Sequence, residues 1–411
     1  MKYNKWTVAL AALGVVSLAS AAKAEEKASP VMTALSGTTI SGYVDTSAEW
    51  NPGTGNANLP PYKFNSPQKA DGFNLDVIQL RIDKPLDEQD WAAGYRADLW
   101  FGPDANTLGT SSRGFGNANS DFGIRQAYVA LRAPVGTGLD FKMGVFDSII
   151  GYESIEAGNN PNFTRSYGHS IEPQTETGLL ASYRFCDCFS ASVGIADSFG
   201  PTINDRTSAP VNFPNSAGAE SYKSYMGSLA LTAPDSWGFL AGSTQYAGAG
   251  NGFVDANATS PRTVTSYYLG ATVATPVTGL RTGASFDYID IHQANNDDYS
   301  LAGYLSYQAT EKLSFHARAE YYKDKLASGE TLLDFTNDLG NKGKAEVFAL
   351  TATAQYDLWK NVISRLELRW DHSLLGNNLW GGDPNATAGT PAANPDKKNA
   401  WLLAANIIYK F

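Results

Sequence analysis

Nucleophilic and metal-ligating side chains are scarce. The 411 residues hold two cysteines and four histidines. The cysteines lie together in "YRFCDCFS", and a C-x-C without a second pair is a poor zinc motif. A strained disulfide, two free thiols, or a turn without chemistry all fit it. The histidines (His169, His292, His316, His372) show no metal spacing, and no G-x-S-x-G occurs. No metal, cofactor or catalytic residue is assigned. An enzyme on such a chain would need a Ser/His or Asp/His pair. Asp371-His372 is suggestive, but strand neighbours point to opposite faces. Basic excess is also missing: 31 Lys+Arg stand against 41 Asp+Glu, a net charge of −10. That excludes nucleic acid as a partner, and binding to an anionic surface by bulk charge.

Long apolar runs are absent after the first residues. "MKYNKWTVALAALGVVSLASAAKA" has Lys2 and Lys5 before an apolar run from Val8 to Leu18. It ends on Ala22-Lys23-Ala24, a small-x-small cleavage pattern. Residues 1–24 read as a secretory signal peptide and 25–37 as a short periplasmic segment. No later run could form a membrane helix. Strands that alternate between lipid and water average out in a hydropathy scan, so a barrel is not excluded.

Period-two alternation is abundant. In "VISRLELRWDHS", Val362, Ser364, Leu366, Leu368 and Trp370 take one face. Ile363, Arg365, Glu367, Arg369 and Asp371 take the other. Four consecutive charges on one face cannot face lipid, nor a dry core without many partners. "LSFHARAEYYKDK" sets Arg318 and Glu320 against Phe315, Ala317 and Ala319. "WAAGYRADLWF" sets Arg96 and Asp98 against Tyr95, Ala97 and Leu99, and "VIQLRID" sets Arg81 and Asp83 against Ile78, Leu80 and Ile82.

Tight turns are expected at 85–90, 134–138, 186–188, 234–236, 276–279, 310–312 and 360–361. Longer polar segments lie near 51–72, 102–121, 148–173, 199–220, 249–262, 326–344 and 374–397, with a short exception at 293–297. The count predicts an all-β fold over 38–411: a transmembrane, antiparallel, up-and-down β-barrel of about 16 strands. Short turns would face the periplasm and long loops the exterior. Outer-membrane lipid is the expected surroundings. "WLLAANIIYKF" ends the chain on an apolar face, which suits a strand closed against "TTISGYVDTSAEW". Aromatics at strand ends, from Trp50 and Trp91 to Trp401 and Phe411, would form two girdles. Tyr409 and Phe411 fit the end signature that barrels present to the barrel assembly machinery.

A lumen of about 16 strands is too wide for wall side chains to fill. Its inward charges pair two apart: Arg81 with Asp83, Arg96 with Asp98, Arg318 with Glu320, Arg365 with Glu367, and Arg369 with Asp371. Arg184 and Arg281 are further inward candidates. They set a transverse field across water, brace the wall, or do both. The segment 148–173 carries Ile149, Ile150, Tyr152, Ile155, Phe163 and Tyr167, which suit a loop folded into the barrel. Glu153, Glu156, Asn159, Asn160, Asn162 and Arg165 would then line a constriction. The alternative is a loop lying over the mouth. "NNDD" at 295–298 and the N-x-T triplets at 162, 257 and 385 read as loop composition.

"GVFDSIIGYESIEAGNNPNFTRSY", followed by "TETGLLASYRF" and "GIADS", resembles the OmpL-like β-barrel porin family of Gram-negative envelopes. The likeness is closest over about residues 140–200 and looser elsewhere. The Cys-Asp-Cys turn is not expected to be general in that family. The resemblance implies passive diffusion of small hydrophilic solutes or ions through a water-filled lumen. It names no solute. Trimers are common among porins of this size, so a homotrimer is compatible. A structural or adhesive barrel without transport is the alternative.

Overall fold

The computed structural model describes residues 37–53, 57–110, 120–205, 207–208, 221–254, 262–292, 296–324, 333, 335, 344–387 and 390–411. The signal peptide and residues 25–36 lie outside the described residues, as do Asn257 and Asn295. Alternation becomes strand after strand: β1 (Thr39–Trp50), β2 (Gly72–Lys84), β3 (Ala93–Phe101), β4 (Phe122–Ala133), β5 (Leu139–Asp147), β6 (Thr175–Cys186) and β7 (Phe189–Ala196). A two-residue ladder, β8 (Thr207–Ser208) with β9 (Ser221–Tyr222), follows outside the wall. The wall resumes with β10 (Ser224–Thr232), β11 (Thr244–Val254), β12 (Arg262–Ala274), β13 (Leu280–Ile291), β14 (Asn296–Gln308), β15 (Leu313–Asp324), β16 (Glu346–Trp359), β17 (Val362–Ser373) and β18 (Asn399–Lys410). These sixteen wall strands pair antiparallel, each with its neighbours in sequence, into a closed barrel.

The barrel closes where the terminal strand required. Tyr43 lies opposite Lys410 and Trp50 opposite Leu403. The Gly42 N–H donates to the Phe411 carbonyl at 3.0 Å, and the Phe411 N–H donates back to Gly42 O at 3.0 Å. A Cβ on Gly42 would sit 2.8 Å from the Phe411 ring and collide with the Gln79 carbonyl. The last residue is thus stitched to the first strand and the barrel wall has no open edge.

The two faces separate as the pattern predicts. Trp401, Ile407, Tyr409 and Phe411 are exposed outward, while Leu402, Ala404, Asn406 and Ile408 are buried inward. Arg318, Glu320, Arg365, Glu367, Arg369 and Asp371 are all buried inside the barrel. Turned outward, an arginine at the bilayer midplane would cost about 2–4 kcal/mol. Asp371 is buried inward and His372 stacks beside Trp370 on the outer face, so the two neighbours point apart.

Seven connections lie at the end of the barrel that holds both chain termini of the sheet, and eight lie at the other. The expected turn that lengthens most lies between β10 and β11. The link expected at 234–236 runs from 233 to 243 and contains a 3-10 stretch, Asp235–Leu240. Gly238 and Gly242 take positive φ there and fold the chain back, leaving Trp237 and Phe239 exposed at the rim.

Candidate functional site: an inward loop held between walls

The connection between β5 and β6 is folded into the lumen. It contains a 3-10 turn, Ala157–Asn159, and a short helix, α2 (Tyr167–Ile171). Ser166 caps α2 by accepting the His169 N–H at 3.0 Å. Asn160 Oδ1 accepts the Ser154 N–H at 2.7 Å, and its amide donates to Glu156 O at 3.1 Å. Arg165 donates to Phe163 O and to Ile155 O, both at 3.0 Å. The segment therefore carries its own bracing.

Apolar contacts anchor it on three sides. Ile149 and Ile150 pack with Phe146, Leu180, Met226 and Tyr268. Ile155 and Ala157 pack with Tyr43, Val77, Trp100 and Ile408. Tyr167 and Ile171 pack with Ile289, Tyr322 and Phe335. Each buried side chain of this size contributes roughly 1.5–3 kcal/mol. Gly168 passes so close to β13 that a Cβ there would collide with the Asp287 carboxylate.

Two polar walls receive the loop. On the first, Arg81, Arg96 and Arg125 surround Asp98 and take Glu156 from the loop. Arg81 bonds Asp98 at 2.9 Å, Arg96 at 2.6 Å and Arg125 at 2.7 Å. Glu156 meets Arg81 in a close pair, Arg96 at 3.2 Å and Arg125 at 3.3 Å. Burial alone would raise the Glu156 carboxyl, but Arg125, Arg81 and Arg96 hold it below the usual carboxylate range.

On the second wall the charges pair among themselves, and the loop adds mostly backbone. Arg318 meets Glu320 at 3.0 Å and Arg369 meets Asp371 at 2.9 Å. Arg318 also donates to Thr164 O at 2.8 Å and Arg165 O at 3.2 Å, and Arg369 donates to Arg165 O at 2.6 Å. Glu367 accepts the N–H groups of Phe163 at 2.6 Å and Thr164 at 2.9 Å. Glu320 accepts the Tyr167 N–H at 2.7 Å. Glu153 is the loop's own charge here, 2.9 Å from Arg318.

The remaining residues singled out from the sequence fall as follows. Asn162 bonds Thr353 at 2.7 Å, and Asn159 is exposed beside Glu156 at 3.0 Å. Asn160, Asn162 and Arg165 are buried. Arg96–Asp98, Arg318–Glu320 and Arg369–Asp371 form the pairs expected within one strand. Arg81 instead reaches across to Asp98, while Asp83 accepts the Thr39 hydroxyl at 3.0 Å. Arg365 turns from Glu367 to the loop, donating to Ala157 O at 3.1 Å and Asn160 O at 2.6 Å. Arg184 and Arg281 are exposed near the turn end, with Arg281 donating to Gly242 O at 3.1 Å.

Alternation could not find two residues of the site. The ladder between β3 and β4 slips after Asp98, so Arg125 and Gln126 both point inward. The ladder between β1 and β2 slips after Asp45, so Asp76 and Val77 are both buried. Each slip is a bulge, which re-aims a side chain that strict alternation sends outward. Asp76 lies 2.7 Å from Lys69, which also bonds Asp104 of a short helix, α1 (Pro103–Asn106). The first long loop adds aromatic cover: the Arg369 guanidinium sits 4.1 Å from the Tyr62 ring centre and Arg165 sits 5.5 Å from that of Phe64. The gaps beside the inward segment are small. One of ≈ 60 Å³ is lined by Glu153, His169, Glu172 and Tyr246, and one of ≈ 20 Å³ by Glu49, Tyr62, Lys69 and Arg165. The larger has room for several waters and the smaller for one or two.

No curated protein matches the sequence. Solved structures match the fold over most of the chain at low identity. The outer membrane channel DcaP of Acinetobacter baumannii aligns with a TM-score of 0.56 at 12% identity, covering 91% of this chain and 97% of that one. An anion-selective porin from Comamonas acidovorans gives 0.55 at 12%, covering 91% and 99%. OprB of Pseudomonas putida gives 0.55 at 12%, covering 93% and 96%. These likenesses concern architecture: a closed barrel of the outer-membrane porin type. Residues 37–411 match the family described as "Putative beta-barrel porin-2, OmpL-like", and the chain belongs to that family, an outer-membrane porin for passive diffusion of small hydrophilic solutes.

Proposed function

We propose that the inward segment 148–173 sets what passes through this porin. One observation carries the reading. The segment bonds or packs against β2, β3 and β4 on one side and against β13, β14, β15 and β17 on the other. It thus crosses the lumen instead of lining one wall. Solutes and ions pass beside it, through gaps that widen when it shifts. Glu153, Glu156, Asn159, Asn160, Asn162 and Arg165 act at this constriction. The wall charges Arg81, Asp83, Arg96, Asp98, Arg184, Arg281, Arg318, Glu320, Arg365, Glu367, Arg369 and Asp371 hold the segment or line the approaches to it. No reaction is part of this function.

Residues 1–24 act as an export signal, which N-terminal sequencing of the mature protein would check by a start at Glu25. Tyr409 and Phe411 serve as the assembly signal for the barrel assembly machinery. A homotrimer is in keeping with the trimer form described for OmpT of Vibrio cholerae, which shares the fold (TM-score 0.52, 10% identity, covering 91% of this chain and 99% of that one).

The test is single-channel conductance of the refolded protein in a planar bilayer, beside a variant shortened between Gly158 and Gly168. The wild type should give small steps and the shortened loop clearly larger ones. Equal steps would remove the segment from the constriction. Silence from both would favour the structural or adhesive reading.

A further inference from the structure

Cys186 and Cys188 have no part in the lumen. They flank Asp187 in the turn between β6 and β7, at the turn end of the barrel, which faces the periplasm. Both thiols are free and exposed. Cys186 lies opposite Phe189 in the ladder, so Asp187 and Cys188 form the whole link. Residues joined through one neighbour in such a turn stand within the ~4.4–6.8 Å Cα separation that a disulfide spans.

The turn is held firmly. The Thr232 N–H donates to Cys188 O at 2.9 Å, and the Thr137 hydroxyl donates to Arg184 O. Beneath the thiols, Phe185 stacks on Phe189 with ring centres 5.0 Å apart and meets Tyr183 edge-on at 4.8 Å. This aromatic group suits the membrane interface, which leaves the sulfurs in water. The two sulfurs are not equivalent. The Cys188 N–H points at Cys186 Sγ from 3.4 Å. The Cys188 thiol also donates to Cys186, and that hydrogen bond holds the Cys188 proton above its ordinary range. Cys186 therefore carries the better-stabilised thiolate.

We propose that Cys186 and Cys188 form a thiol–disulfide exchange site on the periplasmic rim, with an oxidised dithiol protein as co-reactant. The Cys186 thiolate attacks one sulfur of the partner's disulfide. That S–S bond breaks, and the partner's second sulfur leaves as a thiolate that takes up a proton. Cys188 then loses its proton and attacks Cys186 Sγ in the mixed disulfide. The partner departs as a dithiol, and the turn keeps the new S–S bond. Two electrons and two protons have moved to the partner. The periplasm is an oxidising compartment in which such disulfides form and persist.

The test uses the full folded barrel in detergent, with glutathione disulfide as the probe and intact mass plus maleimide labelling as the readout. The wild type should lose both reactive thiols and retain no glutathione. Cys188→Ser should trap one glutathione on Cys186. Cys186→Ser should react more slowly, because Cys188 lacks the backbone N–H donor that Cys186 Sγ keeps in Cys188→Ser. Wild-type protein that still labels at both thiols, or that keeps two glutathiones, would overturn the exchange site. Equal rates in the two single variants would overturn Cys186 as the attacking sulfur.

Discussion

The two walls that hold the inward loop solve one problem in different ways. The wall on β2, β3 and β4 brings three arginines to Asp98, Asp147 at the end of β5 also pairs with Arg125, and Glu156 from the loop completes the match. The wall on β15 and β17 carries Arg318 and Arg369 already paired with Glu320 and Asp371. It binds the loop through carbonyls and N–H groups of residues 163–167. The first attachment rests on one side chain and the second on the loop's backbone shape. A single substitution can therefore release the first, whereas the second should fail only in part.

The largest effect is expected from Glu156→Gln. Removing one member of a buried charge pair costs up to about 3–5 kcal/mol where a partner is left uncompensated, and here Asp98 and Asp147 stay as partial compensation. Here three arginines lose a shared acceptor at once. Single-channel conductance should rise severalfold and become noisy, while the barrel stays folded and heat-modifiable. Unchanged conductance would mean that the apolar anchors alone hold the loop.

Glu367→Gln should do less. It weakens acceptance of the Phe163 and Thr164 N–H groups, at about 1–3 kcal/mol for the buried groups left unsatisfied. Arg318 and Arg369 still grip the Thr164 and Arg165 carbonyls. Conductance should rise by a fraction of the Glu156→Gln effect. An equal or larger rise would reverse the ranking of the walls.

Much of this was legible beforehand, because a barrel wall has period two and each inward charge stands out among apolar neighbours. Arg96, Asp98, Arg318, Glu320, Arg369 and Asp371 all fall where alternation places them. Arg125 and Asp76 could not be placed, since a bulge breaks the period without changing the composition. The partners of Arg81 and Arg365 were also hidden: one lies on the next strand and the others on a loop more than a hundred residues away in sequence. Spacing reports which face a charge takes, and tertiary packing decides which neighbour it meets.

The two ends of the loop should also differ in their response to pH. Glu156 titrates below its ordinary range, so the stability it gives is present above that range and lost as pH falls through the depressed value. Glu172, at the other end, is raised well above its ordinary range, first by burial and then by the Asp287 charge, with Glu153 adding to it. The folded form keeps this proton longer than the unfolded form does. That contribution is full at low pH and is lost as pH rises through the raised value. Current noise from loop motion should therefore increase at both extremes and be least between them. In Glu172→Gln the alkaline rise should vanish and the acid rise remain. Loss of both would show that the two ends move as one.

The smallest effect, and the finest test of the contrast, concerns Arg165. Its guanidinium braces the loop from within, bonded to Phe163 O and Ile155 O and covered by Phe64. It lies between the two walls and bonds neither through its side chain in these contacts. Its charge is buried inside the barrel, where screening is weaker than on the outer surface, so on the proposed reading it acts on passing ions. Arg165→Glu should shift the reversal potential toward cations, most visibly at low salt, with a smaller change in conductance than Glu156→Gln. Lys360→Glu, on an exposed turn at the end that holds both chain termini of the sheet, is the control. Its shift should be weaker and should disappear as salt screens it over the Debye length of about 10 Å at 0.1 M. If both substitutions shift selectivity equally, the loop does not carry the selective charge. The arginines of the first wall then become the groups that ions meet most closely.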